Sequence, residues 1–196
     1  RYEHQHLGAC TDCRRFWVEY RAGTLSREEL DVIEGALCPS TGHCMVMGTA
    51  STMASLTEAL GMALPGCAAI PAPLSERLRM AEDSGRRIVG MVQENLKPSR
   101  ILSPEAFDNA IRILMAVGGS TNAVIHLTAV AGRTGVALPL ERFDRFSRDT
   151  PLLASVRPSG QFHMEELYEA GGIPAVMKEL APLLNCDCLT VTGKTI

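Results

Sequence analysis

Apolar residues recur along most of the chain at intervals of three and four, which is the spacing of amphipathic helices. Ser26 and Glu29 have the spacing of a capping box, and they predict a helix over about Arg27 to Leu37. Ser103 followed directly by Pro104 predicts another helix start. The hydrophobic pattern therefore indicates a chain built mainly from helices.

A longer helix is predicted to begin at Ser75 and to end before Pro98. Its apolar residues again follow the helical period, so they line one side of the helix. We expect this side to face the core. Its members are Leu78, Ala81, Ile88, Val92 and Leu96.

Two short segments have the composition of strands. They are "PLLASV" at 151–156 and "CLTVT" at 188–192, both apolar or β-branched and bounded by turn residues. Helical stretches separate them, which favours parallel pairing. The predicted fold is a helix-rich, layered α/β domain with a small parallel sheet.

Composition restricts the class of protein. The chain has 196 residues, 46% of them hydrophobic and 21% charged, as in a globular protein with a core. The formal net charge of -3 argues against a nucleic-acid or membrane-surface partner. Seven cysteines in a chain of this size are typical of a reduced, cytosolic protein. Because it begins without methionine, we expect the chain to be a piece of a longer protein.

The segment "CPSTGHC" ends at Cys44, about one helical turn before a predicted helix start at Gly48 and Thr49. A helix N-terminus offers unpaired amide N–H groups and a partial positive charge. Both lower the pKa of a nearby thiol, so Cys44 is a candidate for a thiolate that binds metal or reacts. The alternative at this point is a buried structural cysteine.

A zinc site is a second alternative for the same cysteines. Cys10 and Cys13 form a C-x-x-C pair, and Cys38 with Cys44 would complete four ligands. Five residues separate the second pair, whereas zinc sites have two to four at this point. A zinc-stabilised, non-catalytic binding module is therefore kept as the alternative from another functional class.

The segment "GGSTN" at 118–122 places Ser120, Thr121 and Asn122 at a predicted helix start. Free amides, hydroxyls and a carboxamide together suit a carboxylate or a phosphate. The alternative is a tight turn between helices with an ordinary cap. Further along, His163 beside Glu165 and Glu166 predicts a solvated first helical turn rather than an acid–base site.

Several long motifs, taken together and in order, resemble the dihydroxy-acid and phosphogluconate dehydratase family. They are "CPSTGHCMVMGTASTMASLTEALGMALPG" (38–66), "GGSTNAVIHL" (118–127), "GGIPAVMKEL" (171–180) and "LTVTGKT" (189–195). The resemblance runs from about Gly8 to the end of the chain. It implies that residues 1–196 are the latter part of the family's N-terminal iron–sulfur domain, without its C-terminal β-barrel domain.

The resemblance also implies a site. Three cysteines hold an iron–sulfur cluster in the family, and the position of one of them matches Cys44. The other two cysteines, the Mg²⁺ ligands and the general base would lie outside this chain, so no catalytic residue is expected within it. Ser120, Thr121 and Asn122 are expected to line the substrate pocket.

Within the family, "LGACTDCRRFWVEYRAG" and "HCMVMGTASTM" resemble the sugar-acid dehydratases. We therefore expect a cytosolic hydro-lyase that converts an aldonate, such as arabinonate or xylonate, to a 2-keto-3-deoxy acid. A 2Fe–2S cluster is favoured over 4Fe–4S, with Mg²⁺ as second cofactor and a homodimer or homotetramer as the assembly. The alternative within the family is the dihydroxy-acid dehydratase of branched-chain amino acid biosynthesis. The chain alone is expected to be inactive.

Overall fold

The computed structural model describes Tyr2, residues 7–38 and residues 45–196, with only the backbone described at Cys10 and Thr11. The described residues form ten α-helices and one short 3-10 helix. The helices are α1 (Ala9–Arg21), α2 (Arg27–Leu37), α3 (Thr49–Ala59), α4 (Ser75–Gln93), α5 (Pro98–Ile101), α6 (Pro104–Ala116), α7 (Asn122–Thr134), α8 (Leu140–Asp149), α9 (Met164–Glu169) and α10 (Gly172–Glu179), and the 3-10 helix is Ala181–Leu183.

Helices α1 and α2 form a pair with a hydrophobic core of their own. The capping box at the start of α2 is confirmed: Ser26 N donates to Glu29 Oε2 at 2.8 Å, and Glu29 N donates to Ser26 Oγ at 3.1 Å. The buried core of the pair consists of Leu7, Phe16, Leu30, Ile33 and Leu37. An ion pair between Arg157 Nη1 and Asp12 Oδ2, at 3.2 Å, links the pair to the rest of the chain.

The main core is centred on α3 and α6. Helix α6 begins as predicted, with Ser103 Oγ accepting from Ala106 N at 3.2 Å. Helices α7, α8 and α10 pack around this centre and bury their apolar sides against it. Side chains with 0% exposure include Leu56, Phe107, Ile111, Ile113, Leu127 and Ile173.

One charged side chain is buried beside this core. Glu58, on α3, is only 5% exposed, and its carboxylate accepts from Gly66 N at 2.5 Å and from Ala68 N at 2.9 Å. Burial raises the pKa of the Glu58 carboxyl, while the two amide hydrogen bonds act in the opposite direction. Glu58 therefore anchors the loop that follows α3.

The prediction of a helix-rich domain is confirmed, but the two predicted strands form no sheet within the described part of the chain. Where both partners are described, extended backbone pairs only in two isolated bridges, Val156 with Phe162 and Leu189 with Thr195. The physical reason is that the backbone donors of these segments bond to other elements. Leu153 N and Ala154 N both donate to Ala116 O at the end of α6, and Val191 N donates to Gly61 O.

The predicted orientation of α4 is wrong for Leu78, Ala81, Ile88 and Val92, and of the five residues expected to face the core, Leu96 alone is buried. Leu78 is 76% exposed, Ile88 55% and Val92 75%, whereas Met91 on the neighbouring side is buried. Polar contacts explain this orientation, because Arg77 Nη1 donates to Cys67 O at 3.0 Å and Arg87 Nε donates to Val191 O. These two arginines fasten one side of the helix to loops and leave the apolar stripe outside.

Candidate functional site

Helix α3 begins at Thr49, five residues after Cys44. Cys44 itself lies outside the described residues, as do all of 39–44, so the placement of the predicted cluster ligand stays a prediction. Gly48 is the N-cap residue of α3 and has no side chain with which to cap the helix. The N-terminus of α3 therefore has the partial positive charge of a helix start and no capping side chain from its N-cap residue.

The segment that leads into α3 is held by the loop before α9. Met47 N donates to Arg157 O at 2.7 Å, and Met164 N donates to Met45 O at 2.8 Å. His163 starts α9, and its backbone N–H donates to Glu166 Oε2 at 2.6 Å in a capping box. The predicted helix first turn at this motif is confirmed, with Glu165 exposed, but His163 is buried rather than solvated.

The turn between α6 and α7 depends on two glycines. Gly118 has a φ of 58°, a left-handed conformation that favours glycine. An added Cβ at Gly119 would lie 2.7 Å from Leu114 Cδ1 and 2.8 Å from Thr52 Cγ2. The close approach at Gly119 brings the start of α7 against the first turn of α3.

Three side chains from the two helix starts meet in one polar cluster. Thr49 Oγ1 lies 3.2 Å from Ser120 Oγ, and Asn122 Nδ2 donates to Thr49 Oγ1 at 2.9 Å. Beneath them, Ser120 N donates to Thr52 Oγ1 at 3.0 Å, and Thr52 is fully buried. We call Thr49, Thr52, Ser120 and Asn122 the hydroxyl cluster.

The structure thus joins two motifs that the sequence left apart. Ser120 and Asn122 of the predicted substrate-binding residues belong to the hydroxyl cluster, whereas Thr121 is exposed and accepts through its carbonyl from Val124 N at 3.1 Å. Sequence reasoning missed Thr49 and Thr52. Their signal is the spacing of three, which places two hydroxyls on one side of the first turn of α3.

The cluster carries no formal charge and can donate several hydrogen bonds. Thr49 and Ser120 are half-buried and Asn122 is exposed, so part of the cluster lies at the surface of the described residues. Hydroxyls and a carboxamide beside a helix N-terminus suit the carboxylate and hydroxyl groups of a polar organic acid.

The remaining described cysteines do not form a metal site with other side chains. Among the side chains that the structure describes, which leave out Cys10 and residues 39–44, no three His, Cys, Asp or Glu side chains are placed to share a metal ion. Cys13 packs against the core of the α1–α2 pair, and Cys38 is exposed. In the same described residues, no helix is both long and apolar enough to cross a bilayer.

Comparison with known proteins decides the family. The model of the dihydroxy-acid/6-phosphogluconate dehydratase N-terminal family matches residues 2–196. The chain belongs to this family. The match covers nearly all of the chain, so the resemblance carried by the sequence motifs is confirmed.

This dehydratase-family chain is similar to three relatives whose names are dihydroxy-acid dehydratase or, for the second of them, dihydroxy-acid dehydratase 1. The protein from Halothermothrix orenii is 51% identical over 180 residues, which are 91% of this chain and 33% of the relative. The protein from Methanosarcina acetivorans is 50% identical over 177 residues, which are 90% of this chain and 32% of the relative. The protein from Methanothermobacter thermautotrophicus is 49% identical over 176 residues, which are 89% of this chain and 32% of the relative. The chain spans about a third of the length of these relatives.

Proposed function

We propose that the protein containing this chain is a hydro-lyase that removes water from a 2,3-dihydroxy acid and yields a 2-keto acid. The observation that carries the proposal is the hydroxyl cluster, in which the family's "GGSTN" motif meets the first turn of α3. The substrate has a carboxylate and two hydroxyl groups, and the cluster offers hydrogen-bonding partners for groups of both kinds.

For the substrate class we choose the branched-chain dihydroxy acids. The motifs at 7–23 and 43–53 favoured an aldonate, but the relatives described above, at 49–51% identity, are all named dihydroxy-acid dehydratases. Their names support the alternative rather than the sugar-acid expectation. The branch is therefore proposed on the whole-chain comparison, which weighs more residues than two short motifs do.

The described residues fit an iron–sulfur cluster only as its surroundings. The family resemblance gives Cys44 as the one thiolate that this chain would contribute, and α3 starts five residues after it. The uncapped N-terminus of α3 would offset negative charge on such a group. When bound, the cluster supplies a Lewis acid for the loss of a hydroxyl group. The cluster type and a Mg²⁺ ion remain predictions.

In this proposal the hydroxyl cluster binds and orients the substrate. Asn122 Nδ2 and the hydroxyls of Thr49 and Ser120 hold the acid by hydrogen bonds, and Thr52 holds Ser120 in place from below. Positioning by several fixed donors lowers the entropic cost of reaching the transition state. That residues 1–196 are the latter part of the N-terminal domain, and that the enzyme is a cytosolic homo-oligomer, stay predictions.

The test is a substrate panel with the complete gene product, purified without oxygen. Branched-chain 2,3-dihydroxy acids and aldonates are assayed side by side for keto-acid formation. We expect the highest kcat/KM on a branched-chain acid; a preference for aldonates would restore the sugar-acid assignment, and no keto acid from either class would refute the proposal.

A pair of variants tests the role of the cluster. Asn122→Ala should raise KM by about tenfold, the effect of losing one or two hydrogen bonds to a charged substrate. Thr128→Ala is the matched control, because Thr128 lies exposed on the same helix and its hydroxyl donates to Val124 O rather than to the hydroxyl cluster. Equal KM values for the two variants would contradict the assignment.

A further inference from the structure

The loop formed by residues 155–162 lies against both parts of the chain that supply the hydroxyl cluster. Arg157 O accepts from Met47 N at 2.7 Å, in the segment that leads into α3. On its other side, Ser159 Oγ lies 3.1 Å from the position that a Cβ on Gly118 would take, in the turn that leads into α7. The two helix starts that carry the cluster therefore rest on the same loop.

The loop is closed by its own backbone hydrogen bonds. Arg157 N donates to Phe162 O at 2.8 Å, and Phe162 N donates to Ser155 O at 2.9 Å. Gly160 makes this closure possible, because an added Cβ there would lie 2.1 Å from the carbonyl carbon of Ser155. A displacement of one side of so tight a loop is therefore passed on to the other side.

The side chain of Arg157 leaves the loop and binds the first turn of α1. Its Nη1 lies 3.2 Å from Asp12 Oδ2, and the two side chains are 27% and 15% exposed. Asp12 Oδ2 also accepts from Gly8 N at 2.7 Å, which fixes the carboxylate at the start of the helix. The ion pair therefore ties the 155–162 loop to the α1–α2 pair.

The acidic partner of this ion pair is charged at neutral pH. Burial raises the pKa of the Asp12 carboxyl, but hydrogen bonds from Gly8 and Arg15 act in the opposite direction and the pKa is lowered below its ordinary value. The positive charge of Arg157 acts in the same direction as these hydrogen bonds. The ion pair is therefore formed throughout the neutral pH range.

We propose that Arg157 is a positioning residue for the hydroxyl cluster. Its ion pair with Asp12 holds the 155–162 loop in place, and the loop in turn fixes the relative positions of Thr49 and Ser120. The inference rests on the proposed function, in which the cluster binds a 2,3-dihydroxy acid. A cluster of uncharged donors binds such a substrate well only when the donors are held in the correct geometry, and Arg157 acts on that geometry without touching the substrate.

A second ion pair in the same chain provides a matched control. Arg142 Nε lies 2.7 Å from Asp108 Oδ1, and these side chains are 21% and 16% exposed, close to the values for Arg157 and Asp12. Asp108 lies near the start of α6, whereas the hydroxyl cluster lies beyond the end of that helix. Loss of this second pair should affect stability but not the geometry of the cluster.

The first test compares Arg157→Met with Arg142→Met in the complete gene product, purified without oxygen. Both variants should lower the urea midpoint, because each loses one partly buried ion pair. Arg157→Met should also raise KM for the dihydroxy acid about fivefold, the effect of one such pair on an equilibrium, whereas Arg142→Met should leave KM unchanged. An equal effect of the two variants on KM would overturn the proposal.

Rescue by a conservative variant separates the charge from the shape of the side chain. The ion pair joins one nitrogen of Arg157 to one oxygen of Asp12, which is a contact that a lysine ammonium can also make. Arg157→Lys should therefore keep KM within about twofold of wild type. A KM as high as that of Arg157→Met would show that the charge has no positioning role.

A double-mutant cycle tests whether Arg157 acts through Asp12. Asp12→Asn removes the charge but keeps an oxygen that can accept from Gly8 N, so α1 keeps its start. It should raise KM by the same factor as Arg157→Met, and the double variant should raise KM no further than either single variant. If the two effects on KM multiply instead, Arg157 does not act through this ion pair and the proposal is wrong.

Failure of this inference can be told from failure of the proposed function. If Asn122→Ala raises KM and Arg157→Met does not, the cluster binds the substrate and only the role of Arg157 is refuted. If neither variant raises KM, the cluster does not bind the substrate, and both proposals are refuted.

Discussion

The close approach at Gly119 gives the sharpest test of how the hydroxyl cluster is built. Gly119→Ala adds one methyl group between α6 and α3. Its carbon would lie 2.7 Å from Leu114 Cδ1 and 2.8 Å from Thr52 Cγ2, well inside ordinary van der Waals contact. Both neighbours are buried, Leu114 at 4% exposure and Thr52 at 0%, so neither can move away without disturbing the core.

The magnitude follows from two opposing effects. Overpacking a well-filled site costs about 1–3 kcal/mol, while replacing glycine lowers the entropy of the unfolded chain and contributes about 0.4–1 kcal/mol in the other direction. We expect a net loss of about 1–2 kcal/mol in the free energy of unfolding. With a denaturant slope of about 2 kcal/mol/M, the urea midpoint should fall by about 0.5–1 M.

The matched control is Gly132→Ala in α7, where no heavy atom lies within 4 Å of an added Cβ. Alanine in an open helical position should raise stability by about 0.5–1 kcal/mol. Thr52→Ser removes the methyl that the new carbon would meet, so the double variant should lose less stability than the two single variants together. If Gly119→Ala behaves like Gly132→Ala and shows no coupling to Thr52→Ser, the close approach does not exist as described.

Three further outcomes are expected. Thr52→Val should cost about 1–2 kcal/mol of stability and raise KM, because the Ser120 N–H loses its acceptor. Thr52→Ser keeps the hydroxyl and should keep KM near wild type. Equal KM values for the two variants would contradict the positioning role. Burial raises the pKa of Glu58, so its contribution to stability is present below its ordinary pKa of 4.5 and is lost as pH rises through the raised value. We would measure the free energy of unfolding in urea for wild type and Glu58→Gln from pH 4 to 7. The free energy of unfolding of wild type should fall relative to that of Glu58→Gln as pH rises. A difference between the two that stays constant with pH would refute this. In the complete gene product, Cys44→Ser should abolish bound iron, sulfide and activity together, whereas Cys13→Ser should retain them; equal losses in both variants would show that Cys44 is not the distinctive ligand.

Local signals predicted the helix boundaries well, because capping depends on residues that are close in sequence. The capping box of Ser26 and Glu29 and the start of α6 at Ser103 both formed as their spacing predicts. The two predicted strands do not form a sheet, and the reason is non-local. A strand needs a neighbour for its backbone donors, and Leu153 and Ala154 find Ala116 O at the end of α6 instead.

Helix α4 shows that local sequence is equally limited in predicting which side of a helix is buried. Its apolar period correctly predicts a helix with one apolar side, but period alone does not say which side meets the core. Arg77 and Arg87 decide this by binding carbonyls of distant loops, one of them 104 residues away in sequence. The period therefore predicts one apolar side of the helix, and the tertiary contacts place that side at the protein surface.

Sequence by itself determined the family, since long motifs in order over nearly the whole chain are specific without any coordinates. It also singled out Ser120 and Asn122 as polar residues at a helix start. Only the tertiary structure decided that Thr49 and Thr52 join them, at separations of 71 and 68 residues from Ser120. The physical reason is the packing of α6 and α7 against α3: Gly119 has no side chain to keep the helices apart, so hydroxyls from two distant motifs come within hydrogen-bonding distance.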